Sequence, residues 1–192
     1  MSVKIVAIMG SRRIGGNTDV MLGWVMEGAR EAGAEVETVV LRGKTVAQCM
    51  GCDTCAKPPY KCIHRDDVDS IQPLLQDAQA IVLATPVYWW GPSGLLKTFV
   101  DRWYGFRGER KGTVRGKDFG LVVVCGDPDP AIARHVIGMY QFAADYLDST
   151  LHEPVVAAGF SKPGEVAGDP DVKAKCVELG RKLYLASTKR QG

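Results

Sequence analysis

Five short apolar segments alternate with segments of helical periodicity, and this alternation constrains the fold more than any other feature of the chain. The apolar segments are residues 3–9, 35–41, 80–84, 119–125 and 151–158. The helical segments are residues 17–32, 66–78, 93–103, 132–147 and 172–186. Strands that alternate with helices predict a parallel sheet with helices on both faces, and continuous apolar strands are typical of such buried sheets. The sequence therefore predicts an α/β fold with a five-stranded parallel sheet.

The length and charge of the chain exclude several classes of protein. Its 192 residues predict a single domain, residues 1–192. A formal net charge of +2 is too small for a dedicated nucleic-acid-binding protein. No apolar run approaches the ~18 residues that a membrane helix needs, and the N-terminus reads as a strand rather than a secretory signal. We therefore expect a cytoplasmic protein that binds neither nucleic acid nor a membrane.

The first strand leads into a glycine-rich loop, where residues 10–18 read GSRRIGGNT. Ligands of parallel α/β sheets bind beyond the carboxyl ends of the strands. Free N–H groups at the start of the following helix, together with its dipole, favour a phosphate, and Arg12 or Arg13 adds positive charge. The loop lacks the motifs of ATP-type P-loops and of Rossmann dinucleotide sites. The alternative is an ordinary glycine-rich turn in which Asn17 caps the helix.

The third strand leads into an aromatic loop, where residues 85–93 read TPVYWWGPS. Tyr88, Trp89 and Trp90 stand between Pro86 and Pro92, which restrict the backbone. A restricted loop of this composition suits a flat heteroaromatic ligand. The alternative is that the two indoles pack beneath the loop or at a subunit interface, where aromatic residues are enriched.

Four of the six cysteines form a dense motif at Cys49, Cys52, Cys55 and Cys62. In a reducing compartment such a cluster indicates a metal or redox site rather than disulfides. The spacing lets one tight loop present three thiolates, and Cys62 returns a fourth, as in the compact ligation of a 4Fe–4S cluster. A structural zinc site and a loop without metal are the alternatives, and the cluster is favoured over both.

The two loops together resemble the NADPH-dependent FMN reductase superfamily. The residues that carry the resemblance are Gly10, Ser11, Arg13, Gly16, Asn17, Thr18, Thr85, Pro86, Val87, Tyr88, Lys97, Asp101 and Arg102. The cysteine motif, followed by Asp66 and Asp67, narrows the resemblance to the iron–sulfur flavoprotein branch. The resemblance implies a flavodoxin-like three-layer sandwich with strand order 2-1-3-4-5 and a cysteine-rich loop at residues 44–65.

The resemblance also implies an FMN site and a set of metal ligands. The predicted FMN contacts are Ser11, Arg13, Gly16, Asn17 and Thr18 at the phosphate, Pro86, Val87, Tyr88 and Trp89 beside the isoalloxazine, and Gly126 in a third loop. The predicted metal ligands are Cys49, Cys52, Cys55 and Cys62. The third loop departs from the family pattern, because residues 126–130 read GDPDP where relatives carry small or amide residues. No side chain is predicted to be catalytic, since a bound flavin supplies the redox chemistry.

The predicted function is FMN-dependent electron transfer. NAD(P)H or a ferredoxin would donate electrons, which would pass through FMN and a 4Fe–4S cluster to a small-molecule acceptor. One alternative is a cluster-free NAD(P)H-dependent FMN or quinone reductase. Another is a non-enzymatic flavodoxin-like carrier, which the net charge of +2 disfavours because such carriers are usually acidic.

Further expectations concern the surface of the protein. Four aromatic residues suit a subunit interface if they are exposed, and we expect a homodimer or homotetramer; the alternative is that they belong to the core. These residues are Trp89, Trp90, Trp103 and Tyr104. We expect the segment from Lys97 to Arg102 to present a solvated or interface helix face rather than catalytic groups. The basic stretch at 105–117 has no assigned role.

Overall fold

A central sheet flanked by helices forms the body of the computed structural model, which describes residues 2–106 and 113–191. The strands are β1 (Lys4–Met9), β2 (Glu35–Val40), β3 (Ala80–Tyr88), β4 (Gly91–Pro92), β5 (Asp118–Cys125), β6 (Thr150–Leu151) and β7 (Val155–Ala158). The helices are α1 (Asn17–Ala32), α2 (Val68–Asp77), α3 (Gly94–Asp101), α4 (Arg134–Tyr146) and α5 (Pro170–Gln191). The alternation of strands and helices is as the sequence predicts.

The strand order is β2-β1-β3-β5-β6, with β7 also paired to β5 and β4 paired to β3. All pairings are parallel except the β3–β4 pair. The predicted number of strands was wrong, because the sheet has seven strands in the described part of the chain. The predicted fifth strand is divided into β6 and β7 around Pro154, which has no N–H to donate to the ladder. The other addition is β4, which folds back on β3.

Apolar clusters cover both faces of the sheet. Helices α1 and α5 pack on one face, where Met21, Val25 and Leu183 are buried. Helices α2, α3 and α4 pack on the other. Helices α1 and α5 cross closely at Gly28, where an added Cβ would lie 2.1 Å from the carbonyl oxygen of Val177. The result is the predicted three-layer α/β sandwich.

The segment after α3 differs from the prediction. The helix ends at Asp101, and the chain continues as a 3₁₀ turn over Arg102–Phe106. Trp103 is buried and stacks on Phe119, so for this residue the core alternative describes the structure. The indole packs inward because the turn directs it onto the start of β5. Residues 107–112 of the basic stretch lie outside the described residues.

Among the helices in the described part of the chain, none combines the length and apolar character needed to cross a lipid bilayer.

Candidate functional site

A cavity of about 180 Å³ lies at the carboxyl edge of the sheet. Its lining residues are Ser11, Arg13, Gly16, Asn17, Thr18, Pro86, Val87, Tyr88, Val124, Gly126, Phe160 and Ser161. The structure thus brings together every predicted FMN-contacting residue except Trp89. The glycine-rich loop, the aromatic loop and the loop after β5 meet here because parallel strands end at one edge of the sheet.

One end of the cavity is suited to an anion. Helix α1 begins after Gly16, and no side chain caps its first turn. Its first N–H groups therefore remain available, and the positive end of the helix dipole lies beside them. The Arg13 guanidinium adds charge and donates a hydrogen bond of 3.1 Å to the carbonyl oxygen of Ser161. A helix start with free N–H groups is a common phosphate site.

Asn17 braces this end of the cavity from within. Its side-chain nitrogen donates to the carbonyl oxygens of Phe160 at 3.3 Å and Lys162 at 2.9 Å. Its side-chain oxygen accepts from the backbone N–H of Val166 at 3.1 Å. The amide is thus engaged in fixing α1 to the segment after β7. Its backbone N–H is the group that this residue offers to an anion.

The aromatic loop forms a tight hairpin. Strand β3 pairs with β4 through Val87 opposite Pro92 and Tyr88 opposite Gly91. The turn residues Trp89 and Trp90 have φ values of 49° and 61°. Positive φ at both turn positions is typical of type I′ turns, which favour Asn and Gly. Each tryptophan in this left-handed conformation costs roughly 1–2 kcal/mol.

The structure places Trp89 outside the cavity. Its side chain is 90% exposed, and that of Trp90 is 49% exposed. Both indoles line a neighbouring hollow of about 280 Å³, which shares Val87 and Gly126 with the first cavity. Cys125 also lines this hollow, and burial raises the pKa of its thiol. The alternative in which the indoles pack beneath their loop does not describe this arrangement.

The two main loops are joined by short polar contacts. The Thr85 hydroxyl accepts from the backbone N–H of Ser93 at 2.9 Å, and the Ser93 hydroxyl donates to the carbonyl oxygen of Gly10 at 2.5 Å. An added Cβ at Gly10 would lie 2.7 Å from the Cβ of Leu96 and 2.8 Å from the carbonyl oxygen of Ala84. A glycine is therefore needed where the first loop meets α3.

Phe160 and Ser161 line the cavity although the sequence analysis did not single them out. They follow β7 directly and so occupy the same edge as the predicted loops. Their position could have been recognised from the sequence, because an aromatic residue and a hydroxyl residue follow the end of the predicted strand at residues 151–158. Residues at that position lie at the same edge of the sheet as the other three loops.

The cysteine loop lies beside the turn that follows α3. Cys49, Cys55 and Cys62 line one small cavity together with residues of that turn, and Cys52 lies outside it. All four are free thiols. Burial raises the pKa of Cys55, and the neighbouring thiols, Cys62 foremost, raise it further. Hydrogen bonds with Thr54 lower the pKa of Cys52.

The donor set of this loop fits an iron–sulfur cluster in type and number. Four thiols within one short loop are the ligands that such a cluster takes. Within residues 2–106 and 113–191, no three His, Cys, Asp or Glu side chains converge on one metal-ion position. The assignment of these four cysteines as ligands therefore rests on their number and spacing in the sequence.

Arg102 departs from its predicted place on a solvated or interface helix face. Its side chain is only 2% exposed and pairs at 2.5 Å with Asp66, whose side chain is 4% exposed. Burial alone raises the pKa of Asp66, but hydrogen bonds from Arg102 and from the backbone outweigh it and hold the pKa below its ordinary value. Lys97 and Asp101 form the exposed pair expected of a solvated face. The sequence signal for the position of Arg102 was Asp66, the carboxylate that follows the cysteine motif, and it was not recognised as a partner.

Comparison with known proteins agrees with this architecture. The chain matches the NADPH-dependent FMN reductase family over residues 3–159. It is 36% identical to an iron–sulfur flavoprotein of Archaeoglobus fulgidus, over 96% of this chain and 80% of that protein. Among solved structures, it superimposes on a flavone reductase with a TM-score of 0.74 and 22% identity, over 98% of this chain and 64% of that one.

A flavodoxin from the domain Archaea shares the fold, with a TM-score of 0.61 and 14% identity over 97% of this chain and 99% of that one. The family match covers the glycine-rich loop, the aromatic loop, Gly126 and the cysteine motif. The chain therefore belongs to the NADPH-dependent FMN reductase family, in its iron–sulfur flavoprotein branch, and is an FMN-dependent oxidoreductase of flavodoxin-like fold.

Proposed function

We propose that this oxidoreductase takes electrons from NAD(P)H and passes them between FMN in the 180 Å³ cavity and a 4Fe–4S cluster on the cysteine loop, and on to a small-molecule acceptor. The observation that supports the proposal is the position of α3 between the cavity-forming loops and the cysteine loop. Helix α3 starts at the hydrogen bond between Ser93 and Gly10 and is followed by Arg102, which holds the cysteine loop. Eight helical residues span roughly 12 Å.

The residues at the anion end bind and orient the flavin phosphate. The first N–H groups of α1, at Asn17 and Thr18, would donate to the phosphate oxygens. Ser11 and Arg13 complete this end, and Gly16 leaves the helix start open. Pre-formed donors of this kind fix the position of the flavin before any reaction takes place.

The residues at the ring end enclose the isoalloxazine. Pro86, Val87 and Tyr88 would border the ring, and Gly126 would leave space on the loop after β5. Trp89 lines the hollow that adjoins the cavity. When bound, FMN accepts hydride or single electrons and the cluster exchanges one electron, and the protein sets position and solvent access.

The cluster is held by Cys49, Cys52, Cys55 and Cys62, and no other described residue is proposed as a ligand. NAD(P)H is the proposed donor, and a ferredoxin is the alternative donor. The exposed Tyr88, Trp89 and Trp90 support a homodimer or homotetramer, because aromatic residues are enriched at subunit interfaces. The proposal keeps the single domain and the cytoplasmic location that the sequence predicts.

A cluster-free NAD(P)H-dependent FMN or quinone reductase is the second candidate. It is favoured by Cys52, which is exposed and lies outside the cavity that the other three cysteines share. In that case the loop is a structural element and the flavin alone exchanges electrons with donor and acceptor.

Anaerobic purification with flavin, iron and sulfide analysis distinguishes the two candidates. The first predicts FMN together with about four iron and four sulfide per chain. If the protein holds flavin but no iron or sulfide, even after anaerobic reconstitution, the first candidate is contradicted and the cluster-free reductase is supported. Titration of the apoprotein with FMN and riboflavin tests the phosphate site in either case. We expect FMN to bind far more tightly, and equal affinities would contradict the anion site.

A further inference from the structure

The cysteine loop has little regular structure of its own. Between residues 44 and 67 the loop contains a single 3₁₀ turn, Thr54–Ala56, in the structure. Its neck is closed by two hydrogen bonds between Thr45 and Asp67, at 2.7 and 3.1 Å. What holds the four thiols in place must therefore come largely from outside the loop.

Arg102 supplies contacts to both ends of this loop. Its Nη1 donates to the carbonyl oxygen of Ala47 at 3.0 Å, two residues before the first cysteine. Its Nη2 donates to the Sγ of Cys62, the last cysteine, at 3.4 Å. Both guanidinium nitrogens also bind the Asp66 carboxylate, at 2.5 and 3.3 Å. One buried planar group thus contacts the start and the end of the motif.

Asp66 completes the clamp from the opposite side. Its Oδ2 accepts from the backbone N–H of Ala47 at 2.9 Å, and its Oδ1 accepts from that of Val68 at 3.1 Å. The pair is nearly fully buried, and its groups are satisfied by one another and by the loop backbone. The fork geometry of a guanidinium matches this set of acceptors, whereas a lysine ammonium is a compact point charge.

The turn after α3 contacts the loop at further points. The Tyr104 hydroxyl donates to the carboxylate of Asp53, between the second and third cysteines. Gly105 lies against Cys55, whose Sγ is 3.6 Å from the position of an added Cβ. The loop is therefore seated on one short segment that begins with Arg102.

The charges around the loop also indicate a role for Arg102. Four thiolates outweigh the positive core of an oxidised cluster, so that the loaded loop carries net negative charge. Lys57, Lys61 and Arg65 of the loop are exposed, and water screens their charges. The guanidinium of Arg102 is buried and directed at a sulfur. Its charge is therefore the least screened of these four.

We propose that Arg102, paired with Asp66, is a positioning residue that clamps the two ends of the cysteine motif and donates a hydrogen bond to the Cys62 sulfur, so that the loop retains a cluster. The proposal rests on the cluster assignment made above. Groups that orient metal ligands in this way typically contribute about 10- to 100-fold to metal affinity.

The test compares Arg102→Lys and Arg102→Met with the control Arg65→Met. The control removes a positive charge from an exposed side chain that donates to the backbone carbonyl of Cys62 and pairs with Asp69. The measurements are iron and sulfide per FMN after anaerobic reconstitution, and the rate of iron loss to a chelator. We expect both Arg102 variants to lose iron about 10- to 100-fold faster than wild type. The control should behave as wild type, with FMN content unchanged throughout.

If the Arg102 variants retain iron as wild type does, or if Arg65→Met loses iron as fast as they do, the role proposed for Arg102 is wrong. The cluster assignment is not affected by either result. A wild-type protein that takes up no iron would overturn the cluster assignment and this proposal together. If the Arg102 variants fail to hold FMN, Asp66→Asn decides, because it keeps the guanidinium and an acceptor oxygen. Faster iron loss in that variant supports the clamp, and wild-type retention contradicts it.

Discussion

The FMN cavity and the cysteine loop lie at opposite ends of α3 and are built in different ways. The cavity is assembled from short loops that follow strands, and its lining includes small polar residues such as Ser11 and Asn17. The cysteine loop runs from residue 44 to residue 67 with one short 3₁₀ turn, and its ends are joined by the Thr45–Asp67 hydrogen bonds and by the buried Arg102–Asp66 pair.

This difference determines how each site fails. A site formed by strand ends is held by the sheet as a whole. Losing one contact there should lower its stability only by the energy of that contact. A loop fastened by a buried ion pair depends on both partners, because removing one leaves an uncompensated buried charge. The cavity should therefore tolerate single changes better than the loop does.

The largest effect is expected for Arg102→Met. We expect the free energy that holds the cysteine loop closed to fall by about 3–5 kcal/mol, because Asp66 then lacks its charged partner. Tryptic cleavage after Lys61 and Arg65 under native conditions measures this opening. FMN binding in the same samples should be preserved, since the cavity has no contact with this pair.

Lys97→Met is the control, because it breaks an exposed ion pair on α3, the helix that precedes Arg102. Exposed pairs contribute about 0–1 kcal/mol, and cleavage of the loop should hardly change. If trypsin cleaves Arg102→Met and Lys97→Met at the same rate, the cysteine loop does not depend on its buried ion pair.

A smaller effect is expected in the cavity for Asn17→Ala. The change removes three hydrogen bonds, each worth about 1 kcal/mol, so that the free energy of unfolding should fall by about 3 kcal/mol. FMN affinity should fall as well, because the start of α1 is no longer fixed to the segment after β7. Chemical denaturation and flavin titration measure the two effects.

Gln141→Ala removes an exposed amide whose hydrogen bond, to Asp145, lies within α4, and it should change stability by less than about 0.5 kcal/mol. If Asn17→Ala is as mild as this control, the amide does not brace the cavity.

Most of the fold and of the cavity is predictable because the responsible signals are local. Helix α1 has the predicted bounds, and the cavity loops follow strands that the apolar runs identify. The division of the fifth strand was missed although Pro154 marks it. Seven strands instead of five leave the order of the main strands unchanged.

What escaped prediction depends on contacts distant in sequence. Arg102 and Asp66 are separated by 36 positions, and no periodic pattern connects an arginine at a helix end with a carboxylate after a cysteine motif. The type I′ turn at Trp89 and Trp90 escaped for a different reason, since its residues contradict the usual preference for Asn and Gly. Such contradictions are expected where function opposes stability.

The aromatic hairpin is the place where the cavity departs from favourable local structure. Replacing Trp89 by Asn and Trp90 by Gly should raise the free energy of unfolding by about 2 kcal/mol, because both residues accept positive φ more readily. Thermal or chemical denaturation of the double variant measures this. A stability equal to or below that of wild type would show that the indoles contribute contacts that offset their unfavourable backbone.

The smallest effect on the two sites is expected from a change at the opposite edge of the sheet, which is remote from both. Burial lowers the pKa of Lys117 from 10.5 to about 8, and its ammonium donates to the carbonyl oxygens of Gln76 and Ala78. Because the folded protein loses this proton at lower pH than the unfolded chain, the unfolded chain binds more protons between pH 8 and pH 10.5. The free energy of unfolding, measured relative to Lys117→Met, should therefore rise with pH across that window. FMN binding and tryptic cleavage of the cysteine loop should show no matching change, and a parallel change in either would mean that this edge is coupled to that site.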